Sequence, residues 1–96
     1  MAKVTVKGHL CTGHDACPPR PSIEGSQDVY VHGIPVHREG DSWGTHGCTA
    51  HAPHNSVLAS GSSTVIVNGK QMGRVGDPIV CGGNVAEGFD DVLVGG

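Results

Sequence analysis

The chain has 96 residues and a formal net charge of −3, with 16 glycines and one residue each of Trp, Tyr and Phe. A chain of this length forms one small domain, and so few aromatic side chains leave little material for a hydrophobic core. We therefore expect a single domain over residues 1–96 that depends on a metal, disulfides or a partner for part of its stability. The six Lys and Arg residues form no basic stripe, which argues against nucleic acid as a partner.

The amino terminus shows no targeting segment. Its first ten residues, MAKVTVKGHL, lack the apolar run of a secretory signal, and no apolar stretch in the chain reaches membrane-spanning length. We expect synthesis in the cytoplasm and, if the protein leaves the cell, export by a route other than general secretion. Seven histidines accompany four cysteines. Metal ligation is therefore the favoured use of the cysteines, with a Cys11–Cys17 disulfide after export as the alternative.

Short β-strands bounded by glycines are predicted along the chain. VTVKG at residues 4–8 is the tail of one strand. The segments EGSQDVYVHG, SGSSTVIVNG and EGFDDVLVGG, at residues 24–33, 60–69 and 87–96, align without gaps. Each has glycine at its second and tenth positions and valine at its sixth and eighth. Alternation of valine with other residues between glycines is typical of short β-strands.

The first two of these segments continue into matching sequences, IPVHREGD at residues 34–41 and KQMGRVGD at residues 70–77. A valine strand, a glycine turn and a return strand predict a β-hairpin, which ends in a Gly-Asp turn. Helical periodicity is missing from the sequence over any useful length. Three similar units therefore predict an all-β fold of short strands and hairpins, stacked around a pseudo-threefold axis.

Histidines and cysteines occupy corresponding places at the loop ends of these units. His54 precedes Gly61 by the same seven residues as Cys81 precedes Gly88, and His46 follows a Gly-Asp turn as Cys81 does. A pseudo-threefold fold would bring such loop ends together. Three imidazoles and one thiolate suit tetrahedral zinc, and four protein ligands leave no open position for a catalytic water. We therefore predict a structural zinc site formed by His14, His46, His54 and Cys81.

Alternatives to this ligand set remain open. His51 could replace His54, because both belong to the segment GTHGCTAHAPH at residues 44–54. Cys48 could be a fifth ligand or a small buried residue. Iron is the second choice of metal. We interpret the remaining histidines as surface or turn residues: His9, His32 and His37.

The twin segments PVHREGD and QMGRVGD resemble degenerate copies of the Pro-Ala-Ala-Arg motif of the PAAR-repeat family. The first copy has Val36 and His37 where the motif has its two alanines. The second copy has QMG at residues 71–73 in place of Pro-Ala-Ala. Both copies keep the arginine and the Gly-Asp pair, and the resemblance extends over essentially the whole chain.

This resemblance implies a small pointed β-cone that caps a trimeric, VgrG-like or phage spike, one cap per trimer, in a type VI secretion system or a contractile phage tail. It implies help in penetrating the target cell envelope, noncovalent attachment of an effector, and delivery outside the cell or into the target cell. The likeness is to stand-alone members without a toxin extension, and no enzymatic activity is expected. The family's zinc, near the apex, is held by three histidines and one cysteine, which match His14, His46, His54 and Cys81.

Two other classes of function compete with this one. A small zinc hydrolase would need an open coordination position and a general base, for which Asp15 beside His14 is the candidate carboxylate. The sequence has no nucleophile elbow, phosphate-binding loop or His-Glu-x-x-His motif. An adaptor that tethers a separate effector to a spike is compatible with the capping role.

Overall fold

A computed structural model describes residues 2–13, 18–48 and 51–95, with the backbone alone described at 45–48 and 51–55. The described residues contain no helix, which confirms the all-β prediction. None of them belongs to a helix long and apolar enough to cross a membrane. They form eight short strands: β1 (Ala2–Val4), β2 (Tyr30–Val31), β3 (Ile34–Pro35), β4 (Ser42–Cys48), β5 (His51–Val57), β6 (Ile66–Val67), β7 (Lys70–Gln71) and β8 (Phe89–Val94).

The strands pair as antiparallel couples, β2 with β3, β4 with β5, β6 with β7 and β1 with β8. The turns of two of these hairpins share one backbone conformation. His32 and Gly33 have φ angles of 53° and 76°, and Asn68 and Gly69 have φ angles of 55° and 77°. Positive φ at both central residues is typical of the type I′ turn, whose twist matches that of the flanking strands. The hairpins predicted at these two repeats are therefore confirmed.

The third strand pair, β1 with β8, joins segments from opposite ends of the sequence. Val94 in β8 lies opposite Ala2 in β1, just as Val67 lies opposite Lys70 in the β6–β7 hairpin. Strand β1 thus supplies the return strand for the last repeat. This pairing supplies the partner of the strand whose tail was predicted at VTVKG.

Backbone hydrogen bonds join the three units in a closed ring. The Thr5 N–H donates to Gly73 O at 3.2 Å, the Gly73 N–H donates to His37 O at 2.8 Å, and the His37 N–H donates to Thr5 O at 3.1 Å. Each unit therefore donates to one neighbour and accepts from the other, as a pseudo-threefold axis requires. A second ring follows the same order, from Lys7 N–H to Pro35 O, Glu39 N–H to Gln71 O and Val75 N–H to Lys3 O.

Two hydrophobic clusters fill the interior, and the ring lies where they meet. Thr5 is flanked by Val4 and Val6 of the first cluster, whereas a Cβ at Gly73 would lie 3.0 Å from Cδ2 of Leu58 in the second. The repeat valines of all three units pack on the first cluster, as their alternation predicted. The first cluster contains Val4, Val6, Val36, Val67, Met72 and Val94, and the second contains Cys11, Trp43, Leu58, Ile79 and Val85.

The two Gly-Asp turns are held by one set of bonds. Arg38 donates from Nε and Nη2 to the two carboxylate oxygens of Asp41, both at 2.9 Å, and its backbone N–H donates to Asp41 Oδ2 at 2.8 Å. Arg74 and Asp77 repeat this arrangement at 3.1, 2.9 and 2.8 Å. The glycine before each aspartate has a φ of 85° or 92°, which favours glycine because an L side chain is strained there. In both motif copies, the Arg-Asp pair thus stabilises the Gly-Asp turn.

The amino-terminal unit has the same turn with different side chains. Gly8 has a φ of 97°, and the His9 N–H donates to Val6 O at 3.1 Å. Nδ1 of His9 accepts the Val6 N–H at 3.4 Å, as the aspartate oxygen does in the other units. Val6 and His9 therefore replace the arginine and the aspartate. This third copy of the turn is not recognisable in the sequence, because neither Val6 nor His9 matches the motif. The one feature that it shares with the other copies is a glycine followed by a residue with a hydrogen-bond acceptor.

Candidate metal centre

Strands β4 and β5 contain two of the four predicted ligands. Their register places His46 opposite His54 and Cys48 opposite His51. Residues directly opposite in an antiparallel pair bring their Cα atoms to within about 4.5–5.5 Å. The ladder therefore pairs His46 with His54 and places His51 nearer the closed end of the hairpin.

This hairpin differs from the loop ends that the sequence analysis expected for His46 and His54. Trp43, the second residue of β4, lies opposite Ser56 and is fully buried in the second cluster. The indole anchors the start of β4, and the backbone after it stays paired with β5, with a register shift on either side of His46. Sequence periodicity could not show this, because glycine and histidine are not typical strand residues.

Cys81 lies beside the same hairpin. Its backbone N–H donates to Oγ of Ser56 at 2.9 Å, and the Val80 N–H donates to Val57 O at 3.0 Å. The Cys81 thiol is free and half-buried, and it packs against the second cluster. These contacts place the predicted sulfur ligand next to β5, two residues along the strand from His54.

His14 lies outside the described residues, as do Asp15, the base of the alternative hydrolase, and Cys17. The backbone before His14 approaches the turn that contains Cys81. A Cβ at Gly83 would lie 2.6 Å from Gly13 O, and Thr12 N–H donates to Asn84 O at 2.8 Å. The chain thus enters residues 14–17 next to the cysteine-bearing turn.

Most side chains of the predicted metal ligands lie outside the described part of the structure. Among the described residues, no group of three or more His, Cys, Asp or Glu side chains could hold a metal ion. Of the four predicted ligands, Cys81 is the one whose side chain is described. The backbone nevertheless brings the positions of His46 and His54 together and places Cys81 beside them, and imidazole with thiolate is a donor set that fits zinc.

The prediction that His37 is a surface or turn residue is wrong. His37 is 0% exposed, and its ring centroid lies 4.5 Å from that of Trp43. Because burial disfavours the charged ring more than nearby Asp41 favours it, the pKa of His37 is lowered to about 4. The sequence did contain a signal, since His37 occupies an alanine position of the motif, where an interior side chain is expected.

His9 and His32 lie in turns, as predicted, and both contact Phe89. The two His–Phe ring centroids are 4.8 and 4.6 Å apart, each pair at an interplanar angle of 65°. Nε2 of His32 also lies 2.9 Å from the Asp91 carboxylate, and this hydrogen bond lowers the pKa of Asp91. The His32 contact joins the β1–β8 unit to the β2–β3 hairpin, whereas the His9 contact lies within the β1–β8 unit.

Cys11 is buried in the second cluster and is a free thiol. Its Sγ accepts the backbone N–H groups of Gly13 at 3.4 Å and Arg20 at 3.3 Å. Cys17, its partner in the alternative disulfide, is not among the described residues. Through these two hydrogen bonds, Cys11 holds the backbone on either side of the segment that contains His14.

A family model described as the PAAR motif matches residues 12–87. Among curated proteins, the double-stranded DNA deaminase toxin A of Burkholderia cenocepacia (strain H111) is 32% identical over 76 residues, which cover 77% of this chain and 5% of the relative. The NAD(P)(+) glycohydrolase toxin Tse6 and the (p)ppApp synthetase toxin Tas1, each from a Pseudomonas aeruginosa strain, are 34% identical over 80 residues. These matches cover 77% of this chain and 18% of each relative. The chain thus spans less than a fifth of the length of any of these toxins.

Proposed function

This chain belongs to the PAAR-motif family, and from that membership we propose that it caps the tip of a trimeric β-helical spike in a contractile injection apparatus. The PAAR motif marks proteins related to the spike tip of type VI secretion systems. A cap on such a spike would travel with it out of the cell and would meet the target envelope first. The proposed role of these residues is structural rather than catalytic.

The observation that carries this proposal is a threefold set of exposed apolar side chains. Tyr30, Ile66 and Leu93 are 52%, 54% and 53% exposed. Each directly precedes the last inward-packing valine of its unit. Because the three units are joined in a ring, these side chains repeat around one axis, and a partner with three identical subunits can offer each of them the same contact.

The end of a trimeric β-helix would be stabilised by such a cap. Its last strands leave backbone N–H and C=O groups unpaired, and exposed strand edges promote aggregation. A single chain with three similar hairpins can cover three such edges at once. One cap per spike trimer is the stoichiometry that follows.

The proposal includes a structural zinc held by His14, His46, His54 and Cys81. It is supported by the register of His46 with His54 and by the hydrogen bond from Cys81 to Ser56 beside them. When bound, zinc would supply a cross-link between segments of the chain that share little apolar surface. The same register makes His54 a better candidate than His51, and iron is the second choice of metal.

An adaptor role for an effector is compatible with capping. The relatives reported above are named as toxins, and each is much longer than this chain. We propose that a cap of this family can connect a spike to an effector, whether the effector is bound noncovalently or belongs to a longer polypeptide. Phage tails and type VI secretion systems both provide spikes for this role.

The experiment is a binding assay with the trimeric spike protein of the same organism, using light scattering after size-exclusion chromatography. The wild-type cap should form a complex of one chain with one trimer. The triple variant Tyr30→Asp, Ile66→Asp and Leu93→Asp should lose the complex. Val80→Asp is the matched control, because Val80 is 67% exposed and directly follows Ile79 of the second cluster. Retained binding by the folded triple variant, or another stoichiometry, would contradict the proposal.

A further inference from the structure

Three buried polar atoms lack a hydrogen-bond partner among the described residues. They are Oγ1 of Thr5, Nε2 of His37 and Nε1 of Trp43, and all three residues are 0% exposed. Burial of a polar group without a hydrogen bond is costly. Such groups in folded proteins are nearly always satisfied by the protein or by an ordered water molecule.

Thr5 and His37 belong to the ring around the pseudo-threefold axis, and Trp43 packs against His37. The His37 N–H donates to Thr5 O at 3.1 Å, and the rings of His37 and Trp43 are 4.5 Å apart between centroids. This is where the first cluster, around Thr5, meets the second, which includes Trp43. The unpartnered atoms therefore lie between two apolar regions.

The three units place residues of different size at equivalent positions around the axis. Thr5, His37 and Gly73 occupy equivalent positions of the ring, one from each unit. A Cβ at Gly73 would lie 3.0 Å from both Thr5 Cγ2 and His37 O. Glycine in this unit thus leaves room for the Thr5 methyl group of another unit. The axis consequently holds two polar side chains where the motif has alanines.

The contacts of His37 determine which of its ring nitrogens carries the proton. Nδ1 lies 3.2 Å from the backbone oxygen of Glu24, which can only accept a hydrogen bond, and it also contacts Ser22 Oγ. The Ser22 hydroxyl in turn donates to the same Glu24 oxygen at 3.0 Å. Nδ1 therefore carries the proton. Because burial keeps the ring neutral near pH 7, Nε2 has a lone pair that requires a donor.

We propose that one buried water molecule binds at the axis, donating to Nε2 of His37 and accepting from the Trp43 indole N–H and the Thr5 hydroxyl. Water has two protons to donate and two lone pairs, so it complements one acceptor and two donors. The water completes a polar bridge from Thr5 in the first unit to His37 and Trp43 in the second. This inference depends neither on the spike nor on the metal.

The test uses the single tryptophan of the chain, whose indole N–H gives one resolved NMR signal. In nitrogen-15-labelled full-length protein, water-selective NOE and ROE spectra distinguish a long-lived bound water from chemical exchange by the sign of the cross-peak. We expect a direct cross-peak of the bound-water sign at the Trp43 indole. Thr5→Val, which keeps the side-chain shape and removes the hydroxyl, should weaken this cross-peak at least twofold. Thr64→Val, at an exposed threonine, should leave it unchanged.

A crystal structure of the wild type at a resolution near 1.2 Å provides the second measurement. It should show one water oxygen within about 3.2 Å of His37 Nε2, Thr5 Oγ1 and Trp43 Nε1. A direct hydrogen bond from Thr5 to His37 Nε2, or no ordered water near these atoms, would overturn the proposal. A Trp43 indole without a bound-water cross-peak would overturn it as well, even if Thr5→Val failed to fold.

Discussion

Asp41 binds Arg38 through both carboxylate oxygens and accepts the Arg38 backbone N–H with one of them. The carboxylate side chain is 3% exposed and the guanidinium side chain 15%. Nη1 of Arg38 also donates to Oδ1 of Asn68 at 3.1 Å, in the turn of the neighbouring hairpin. The arginine of the motif therefore fixes its own turn and joins two units of the ring.

Asp41→Ala should lower the free energy of unfolding by about 3 kcal/mol, because it leaves the guanidinium partly buried without its carboxylate. Asp90→Ala is the control, since Asp90 pairs with Lys3 at 2.7 Å but its side chain is 86% exposed. It should cost less than about 1 kcal/mol. Urea denaturation of both variants measures the difference. Equal losses of unfolding free energy in the two variants would show that the buried Arg38–Asp41 pair stabilises the fold no more than an exposed ion pair.

His37 should make stability fall as the pH is lowered. The pKa of His37 is about 4 in the folded state against an ordinary value of 6.5. Between these two pH values the unfolded chain therefore binds a proton at His37 that the folded chain does not bind. The contribution is fully present above about pH 6.5 and is lost between that pH and about 4, amounting to roughly 3 kcal/mol. His37→Asn keeps a donor for the Glu24 oxygen and does not titrate.

Urea midpoints of the wild type and His37→Asn, measured from pH 7.5 to 4 with the same excess of zinc, test this sign. The wild type should lose stability more steeply over that range, although it is the more stable protein at pH 7.5. Parallel pH profiles would contradict the assignment of His37 as a buried neutral histidine. Loss of zinc at low pH affects both proteins and cancels in the comparison.

Cys81→Ser should remove the bound zinc and lower the melting temperature while the strands stay paired, because serine does not replace a thiolate as a zinc ligand. His32→Asn, at an exposed turn histidine outside the predicted ligand set, should retain the metal. X-ray absorption at the metal edge should show three nitrogens and one sulfur around zinc in the wild type. An unchanged melting temperature of Cys81→Ser in zinc, or a metal-bound water, would count against a closed structural site.

His54→Ala and His51→Ala distinguish the two candidate ligands in β5. Since His54 is the residue opposite His46 in the ladder, His54→Ala should lose zinc and His51→Ala should keep it. The measurement is the zinc content of the purified variants after dialysis against a weak chelator. The reverse result would assign the ligand to His51 and would require a shifted register in the β4–β5 hairpin.

Gly73→Ala should destabilise the fold by about 1–3 kcal/mol, because the added methyl would lie 3.0 Å from Thr5 Cγ2, His37 O and Leu58 Cδ2. Gly44→Ala is the control, since the nearest atoms would lie 3.4 Å away in ordinary contact. Adding Thr5→Ala to Gly73→Ala should recover part of the loss, as residues in contact are not additive. Additive effects would show that the ring is not tightly packed at the axis.

The sequence by itself determined the local structure of this protein. Glycine-bounded valines specify short strands with one buried face, and His32–Gly33 and Asn68–Gly69 specify turns, because these preferences act within a few residues. Three aligned copies also indicated the pseudo-threefold axis, since similar units bury similar surfaces. The PAAR motif in two of them identified the family.

Only the tertiary structure decided which residues meet across the repeats. The pairing of β1 with β8 depends on contacts between opposite ends of the sequence, and the β4–β5 ladder depends on Trp43 entering the second cluster. His37 is interior because its ring packs against Trp43 and hydrogen-bonds with Ser22 and Glu24, which belong to other segments of the chain. Such placements follow from packing among all three units, which local preferences do not specify. For His37 the one local signal was its alanine position in the motif.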